Sequence, residues 1–321
     1  MRYRWAASRC EGGPDASNAL TFGLHSVDCW QFARLFLRSR LQRIRPESWQ
    51  GKRSRGMCSE EVAKYSWHFE PRWSGVVTEG KPPGIVVVTG AASGIGRACI
   101  DRFLDSGWTV AALDHDQRGL AQLKSKHSEG LEAVGVDVTL EHSVQEAVQH
   151  VAARLGKPSA CVNAAGIFPP TRLWTVTEDQ YRRIFDVNFW GTLAVSKAVA
   201  QGMVDQGRGS IVNIAADEAF YGKPDQLIYS ATKAAVVSIT RSMAMELASK
   251  GVRVNAVAPG WVVTEGTLKG GRLEAGIKTI PMGRAAEPSE VADVVWYLTC
   301  GHGASYMTGE TLLVNGGLFI R

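Results

Sequence analysis

From residue 84 onward, short runs of apolar, β-branched residues alternate with longer stretches in which apolar residues recur every three or four positions. The first kind of run is typical of a strand buried on both faces, and the second of an amphipathic helix. Their alternation over short connections predicts an α/β domain, in which a doubly wound parallel sheet carries helices on both faces. We expect about seven strands, at 85–89, 108–113, 131–136, 160–162, 210–214, 252–257 and 311–314.

One predicted helix carries a pair of side chains with a chemical use. Residues 229–250 contain no proline or glycine and precede Gly251, which is typical of a helix with a glycine cap. Tyr229 and Lys233 are four positions apart, so they project from the same face. A nearby positive charge lowers the pKa of a phenol because it favours the phenolate, which makes Tyr229 a candidate general acid/base. This spacing is common in ordinary helices, so its interpretation depends on the rest of the chain.

A glycine-rich loop, Gly90-Ala-Ala-Ser-Gly-Ile-Gly96, connects the first predicted strand to a helix. Glycines let the backbone approach a pyrophosphate, and the unpaired N–H groups at the start of the helix bind it. The next strand ends at Asp114, which is placed to accept hydrogen bonds from the adenosine ribose. A carboxylate there repels a 2′-phosphate, so we expect NAD and consider NADP less favourable. We interpret Arg97, the nearby basic residue, as a solvated residue of the first helical turn.

Together with later motifs, these residues make the chain resemble the classical short-chain dehydrogenase/reductase family. The resemblance covers about residues 84–321 and implies a Rossmann-type fold. It also implies NAD(P)-dependent interconversion of a secondary alcohol and a ketone by a homodimer or homotetramer. The matching motifs are Thr89-Gly-Ala-Ala-Ser-Gly-Ile-Gly96, Asn163-Ala-Ala-Gly166, Asn188, Tyr229-x-x-x-Lys233, Asn255-Ala-Val-Ala-Pro259-Gly260 with Thr264, and Thr308-Gly-Glu-Thr-Leu-Leu-Val-Asn-Gly-Gly317.

The resemblance implies a role for each matching residue. Tyr229 would be the general acid/base, Lys233 would hold the nicotinamide ribose and lower the pKa of the tyrosine, and Asn188 would position a water in a proton relay. Residues 265–281 fall where the family has a mobile substrate lid. The implied cofactor-binding residues are Gly90, Ser93, Gly94, Ile95 and Gly96 at the pyrophosphate, Asp114 at the ribose, Asp137 and Val138 at the adenine, Asn163, Ala164, Ala165 and Gly166 at the sheet and ribose, Tyr229 and Lys233, and Pro259, Gly260, Val262 and Thr264 at the carboxamide.

One position departs from the pattern of this family. The family's catalytic serine ends the fifth strand, 13 residues before the tyrosine, and this chain has Ala216 there. Losing one such hydrogen-bond donor typically costs about 10²–10³ in rate. Either the substrate brings its own polarising group, or Asp217, Glu218 or Tyr221 replaces the serine, or the chain is a weakly active NAD-binding relative such as a sensor or an inactive subunit. Because the other three catalytic positions are retained, we favour an active enzyme.

The first 83 residues differ in composition from the rest. They hold 14 basic and 8 acidic residues, a net charge of +6, whereas the other 238 residues hold 22 and 23. Residues 29–45 carry five arginines among apolar side chains, which fits a basic amphipathic helix or a transit-like segment. A disordered tail, or upstream sequence translated from a start codon assigned too early with Met57 as an internal start, explains this composition more simply. We therefore divide the chain into an N-terminal extension (1–83) and an NAD(P)-binding domain (84–321).

Other classes of function gain no support from the sequence. The six cysteines are widely spaced and the seven histidines form no ligand-spaced cluster, so we expect no metal site and no disulfide framework, in keeping with a cytoplasmic location. No apolar run approaches the ~20 residues that span a bilayer. We expect a small-molecule alcohol or ketone as substrate, and neither a nucleic acid nor a membrane as partner. The predicted pocket wall favours an apolar or ring-containing substrate; it comprises Ile167-Phe-Pro-Pro170, Phe220, Tyr221 and Trp261.

Overall fold

The computed structural model describes residues 83–127, 129–269 and 271–320. They contain a seven-stranded sheet of order β3-β2-β1-β4-β5-β6-β7, in which every pair of neighbours is parallel. The expected doubly wound, Rossmann-type sheet is thereby confirmed. The predicted N-terminal extension, except Pro83, lies outside the described residues. The strands are β1 (Ile85–Thr89), β2 (Thr109–Asp114), β3 (Leu131–Gly135), β4 (Ala160–Asn163), β5 (Gly209–Ile214), β6 (Val252–Pro259) and β7 (Thr311–Val314).

Helices follow most of these strands along the chain. They are α1 (Gly94–Asp105), α2 (Gln117–Lys126), α3 (Glu141–Arg154), α4 (Glu178–Phe185), α5 (Gly191–Asp205), α6 (Leu227–Leu247), α7 (Glu265–Lys269), α8 (Leu273–Ile277) and α9 (Pro288–Cys300). A π-helical turn, Asp186–Trp190, joins α4 to α5, and short 3₁₀ turns lie at Asp217–Ala219, Ala248–Lys250 and His302–Ala304. Gly251 ends the turn after α6 with φ of 80°, which confirms the predicted glycine cap.

The sheet is buried on both faces, which explains why its strands are continuous apolar runs rather than alternating ones. In β1, Val86 and Val88 face a cluster that includes side chains of α1 and α9. Val87 faces the opposite cluster, which includes side chains of α3 and α5. All three valines are fully buried. Two hydrophobic layers therefore hold the sheet rigid, and they leave the loops at its carboxyl edge to form a site.

Candidate active site

A cavity of about 1270 Å³ opens along the carboxyl edge of the sheet. The order of the strands reverses between β1 and β4, and in open α/β sheets such a switch point is where ligands bind. Most of the residues predicted at the site line this cavity: Gly90, Ser93, Gly94, Ile95, Gly96, Asp114, Asp137, Val138, Ala164, Ala165, Gly166, Tyr229, Pro259, Gly260, Val262 and Thr264. The side chains of Asn163, Asn188 and Lys233, by contrast, are buried and bond to protein groups behind it.

The glycine loop at one end of the cavity has a shape that side chains would prevent. Gly90 has φ of 66°, in the left-handed region that glycine adopts without strain. A Cβ on Gly96 would lie 2.0 Å from the carbonyl oxygen of Gly90, so the start of α1 packs directly on the loop. The Thr89 hydroxyl accepts hydrogen bonds of 3.2 Å from the N–H groups of Ala164 and Ala165, which ties this loop to the one after β4.

An acidic side chain already lies against the glycine loop. The Gly94 N–H, in the first turn of α1, donates to Glu265 Oε2 at 3.2 Å. Arg97 is partly exposed, but its guanidinium pairs with the same carboxylate instead of pointing only to solvent as the sequence suggested. The N-terminus of a helix favours anions, because its free N–H groups and dipole are positive. The loop therefore holds a negatively charged group where a pyrophosphate is expected.

Asp114, at the end of β2, is almost fully buried and bonds to two backbone segments. Its Oδ2 accepts from the Ala92 N–H and its Oδ1 from the Asp116 N–H, both at 2.9 Å. His115 Nδ1 lies 3.1 Å from Oδ1, and that imidazole is exposed. The carboxylate thus fixes the glycine loop against the loop after β2 while it lines the cavity.

Tyr229 and Lys233 project from α6 toward the carboxyl end of β5. Lys233 Nζ donates to the Ile214 carbonyl oxygen at 2.7 Å and lies 5.7 Å from the centroid of the Tyr229 ring. Burial lowers the pKa of Lys233 to about 8. Burial, followed by the charges of Glu218 and Asp217, raises the pKa of Tyr229. The net upward shift comes from burial and two nearby acids, and the expectation that Lys233 lowers the tyrosine pKa stays a prediction.

Asn188 lies in the π-helical turn, and its side chain is completely buried. Its Oδ1 accepts from the Ile167 N–H at 2.8 Å, and its Nδ2 donates to the Ile167 carbonyl at 2.9 Å and to Thr232 Oγ1 at 3.1 Å. π-Helical turns are frequent at functional sites. Here the turn directs the amide at the loop after β4 and joins that loop to α6.

Asn163, at the end of β4, has a similar bracing position. Its Nδ2 donates to Ser196 Oγ on α5 and to Asn213 Oδ1 on β5, both at 2.8 Å. The predicted bracing of the sheet is therefore visible in these bonds, and it holds the adjacent Ala164 and Ala165 at the cavity wall.

Ala216 follows β5 and lines the cavity together with Tyr229. The next two residues, Asp217 and Glu218, are acids that are only 2% and 9% exposed. Burial, followed by the charge of Glu218, raises the pKa of Asp217 to about 6, and the nearby Tyr221 hydroxyl acts against this shift. The position of the missing serine is thus followed by two acids near the tyrosine.

Glu218 is held by a cation that also contacts an aromatic ring. Lys223 Nζ lies 2.5 Å from Glu218 Oε1 and 4.0 Å from the centroid of the Trp261 ring. The ion pair is mostly buried, with side-chain exposures of 25% for Lys223 and 10% for Glu218. This ion pair therefore places charged groups beside Trp261, in a part of the cavity wall that was expected to be apolar.

Comparison with known proteins agrees with this geometry. The sequence model described as enoyl-(acyl carrier protein) reductase matches residues 90–319. A 3-oxoacyl-(acyl-carrier-protein) reductase FabG from Thermotoga maritima is 38% identical over 248 residues, which cover 75% of this chain and 99% of the relative. The chain belongs to the short-chain dehydrogenase/reductase family.

Other members of the family show the same extent of similarity. A (3R)-3-hydroxyacyl-CoA dehydrogenase from Canis lupus familiaris is 36% identical over 250 residues, covering 74% of this chain and 96% of the relative. A crystal structure of 3-ketoacyl-(acyl-carrier-protein) reductase from Brucella melitensis, complexed with NADH, matches with a TM-score of 0.70 and 30% identity, covering 74% and 98% of the two chains. As a member of this family, the protein is an oxidoreductase that acts on CH–OH groups.

The structure adds residues to the short-chain dehydrogenase/reductase site that the sequence did not indicate. Gln226, just before α6, is 3% exposed and lines the cavity. Its position three residues before Tyr229 was a usable signal, because residues three apart share a helix face. Glu265 was predicted only as the start of the lid, and no local pattern relates it to Gly94, 171 positions away.

The part of the chain that the structure describes contains neither a cluster of metal-ligating side chains nor a long apolar helix. No group of three or more His, Cys, Asp or Glu side chains there is arranged to hold a metal ion. None of its helices is long and apolar enough to cross a membrane.

Proposed function

We propose that the protein is an NAD(H)-dependent dehydrogenase that interconverts a secondary alcohol and a ketone, with Tyr229 as general acid/base. One observation carries this proposal: the Tyr229 phenol and the glycine loop open into the same cavity at the switch point of the sheet. That arrangement lets a bound dinucleotide and a substrate oxygen meet beside a proton-carrying group.

The residues of the cavity fit a dinucleotide. The loop closes so tightly that a Cβ on Gly96 would overlap the Gly90 carbonyl, and its Gly94 N–H already bonds a carboxylate oxygen. We assign residues 90–96 to the pyrophosphate, Asp114 to the adenosine ribose and Val138 to the adenine, with Pro259, Gly260, Val262 and Thr264 at the carboxamide. When bound, the nicotinamide accepts or supplies the hydride.

The protein's own groups supply the proton. In reduction, the Tyr229 hydroxyl gives its proton to the substrate oxygen while the substrate carbon gains a hydride; oxidation reverses both transfers. A phenol whose pKa is at or above its ordinary value is protonated at neutral pH, so the Tyr229 hydroxyl has a proton to give. Asn188 and Lys233 act as positioning residues, because their polar atoms bond to Ile167 and Ile214 and fix both walls beside the tyrosine.

The decisive experiment measures cofactor binding and turnover together. We expect NADH to bind and to be oxidised with a panel of ketones, while Tyr229→Phe binds NADH with a similar Kd and loses turnover. An active Tyr229→Phe protein would show that α6 does not carry the chemistry.

A second candidate function follows from Ala216, which gives the site a methyl group where the family has a hydroxyl donor. In this case the protein binds NAD(H) as a sensor or as an inactive subunit. Tight NADH binding without turnover of any substrate in the panel would favour it over an enzyme.

We further propose that NAD binds more tightly than NADP. The Asp114 carboxylate is 8% exposed and held by two backbone N–H groups, so it cannot swing away from a 2′-phosphate. The Kd values of NADH and NADPH test this directly, and equal or reversed affinities would contradict it. Asp114→Asn keeps the shape of the side chain and removes its charge, so it should reduce the difference between the Kd values of NADH and NADPH.

We also propose a homodimer or homotetramer in which each chain acts on a small-molecule alcohol or ketone, as the family resemblance implies. Light scattering coupled to size exclusion gives the mass of the assembly, and a monomer at assay concentrations would contradict this expectation.

A further inference from the structure

We propose that the cavity contains a substrate subsite for hydroxyl groups, formed by Asp217, Glu218 and Gln226, and that the substrate is a vicinal diol or polyol, or the matching hydroxyketone. This inference rests on the proposed function, because it assigns the class of substrate at the same site.

Three buried acceptor atoms carry the inference. Asp217 Oδ2, Glu218 Oε2 and Gln226 Oε1 are all inaccessible, and none has a hydrogen-bond partner among residues 83–127, 129–269 and 271–320. The three residues are 2%, 9% and 3% exposed, and all line the cavity. Buried polar atoms in native proteins are normally hydrogen-bonded, because leaving them unpaired costs free energy. A ligand is therefore expected to supply donors to them, with a small turn of the side chains toward the cavity, because the three atoms are inaccessible in their present positions.

The subsite is built rather than accidental, because protein groups hold the other side of each acid. Lys223 Nζ pairs with Glu218 Oε1 at 2.5 Å, which leaves Oε2 free. Asp217 Oδ2 has no partner in the described part of the chain, and the Tyr221 hydroxyl lies near enough to this carboxyl group to lower its pKa. Each carboxyl group thus presents one oxygen that the described part of the chain does not use.

The chemistry of these atoms selects hydroxyl groups on the substrate. A carboxylate oxygen only accepts hydrogen bonds, so its partner must carry O–H or N–H. Of the two acids, Lys223 pairs with Glu218 alone, and a hydroxyl group supplies a donor to the remaining oxygens without the cost of taking a further charge out of water. A hydrocarbon chain offers no donor and would leave all three acceptors unpaired.

The subsite lies beside the reacting group. The 3₁₀ turn Asp217–Ala219 packs against α6, which carries Tyr229, and Asp217, Glu218 and Tyr229 line the same cavity. Gln226 immediately precedes α6, three positions before Tyr229, and lines the same cavity. A donor bound here would therefore be on a carbon close to the one that reacts, as in a vicinal diol.

Three probes on one carbon skeleton test this: cyclohexanol, 1,2-cyclohexanediol and 2-aminocyclohexanol, each assayed with NAD. We expect kcat/KM for the diol to exceed that for cyclohexanol by about tenfold or more, because a site built to bond a hydroxyl rejects the analogue that lacks it. We expect the amino alcohol to gain no such advantage. Equal values for diol and cyclohexanol, or a preference for the amino alcohol, would overturn the hydroxyl subsite.

Substitutions test whether the preference for the diol depends on Asp217 and Glu218. The ratio of kcat/KM between diol and cyclohexanol should fall at least about threefold in Asp217→Asn and in Glu218→Gln, since a neutral amide accepts a hydrogen bond less strongly than a carboxylate. Asp179→Asn, an exposed acid lining the same cavity, is the matched control and should keep the ratio. Thermal unfolding and NADH binding confirm that each variant is folded, and Asp217→Asn and Glu218→Gln proteins that are folded yet keep the ratio would refute the assignment.

Binding of the probes, measured without turnover, tests the hydroxyl subsite independently of the proposed dehydrogenase activity. If no probe is turned over, the proposed function fails for these substrates, and the increase in Tm of the NADH-bound protein with each probe decides the subsite. A larger increase with the diol than with cyclohexanol supports the subsite, and equal increases overturn it.

Discussion

Glu265 lies at the glycine loop, which we propose as the pyrophosphate site, so its charge should oppose cofactor binding. Its Oε2 accepts from the Gly94 N–H at 3.2 Å, and the carboxylate also pairs with Arg97. A pyrophosphate at the glycine loop needs the same N–H and carries negative charge. We therefore expect Glu265→Gln, which keeps the shape of the side chain, to bind NADH more tightly.

The expected gain in NADH binding free energy can be estimated from the repulsion between the Glu265 carboxylate and a phosphate about 4 Å away, and from the exposure of this side chain. Two unit charges about 4 Å apart interact by about 1 kcal/mol in water and by about 4 kcal/mol at an effective dielectric of 20. The Glu265 side chain is 43% exposed, which places it near the aqueous value. A gain of about 1–2 kcal/mol corresponds to roughly 5- to 30-fold tighter binding. The substitution also frees Arg97 for the phosphate, which acts in the same direction.

The assay is a titration of NADH followed by its fluorescence, at low and at high salt. The gain in NADH affinity of Glu265→Gln over the unchanged protein should be smaller at high salt, because salt screens a partly exposed charge. Glu274→Gln removes an exposed acid from α8, in the same lid segment, and should leave the Kd unchanged. A folded Glu265→Gln protein with unchanged or weaker NADH affinity would refute the competition between this carboxylate and the pyrophosphate.

Three further predictions test the rest of the site. Ala216→Ser should raise kcat/KM on a simple alcohol by about tenfold or more, a gain of roughly 1.4 kcal/mol, if the enzyme only lacks that donor; a neutral or harmful effect in steady-state assays would show another polarising group. A chain that begins near Gly80 should bind NADH as the full chain does, because residues 83–320 supply the sheet and the cavity; loss of binding would make the extension part of the fold. The pKa of Lys233 is lowered from 10.5 to about 8 by burial, so the unfolded state binds more protons between these values and the free energy of unfolding should rise with pH there. Denaturant unfolding should show a weaker rise for Lys233→Met, and an equal rise would contradict the assignment.

Local patterns in the sequence were enough to predict the sheet, and they singled out the glycine loop and Tyr229, which line one cavity. A strand buried on two faces must be apolar throughout, as β1 is, and the turn after it must be glycine because a Cβ on Gly96 would strike Gly90. The helix of Tyr229 and Lys233 was equally readable, since composition and a glycine cap define it. Helix α2 was not predicted. Its buried residues are Gly119, Leu120 and Leu123, so its apolar face covers only one helical turn and gives a weak sequence pattern.

Only the tertiary structure decided how charges are arranged in the cavity. It brings Glu265 to Gly94 across 171 positions, and it buries Asp217 and Glu218 beside Tyr229. It also makes burial and two acids the causes of the shift in the tyrosine pKa. The physical reason is that helix and strand patterns depend on neighbours along the chain, whereas the energy of a charge depends on which groups surround it and on how much water remains. Folding alone sets those surroundings.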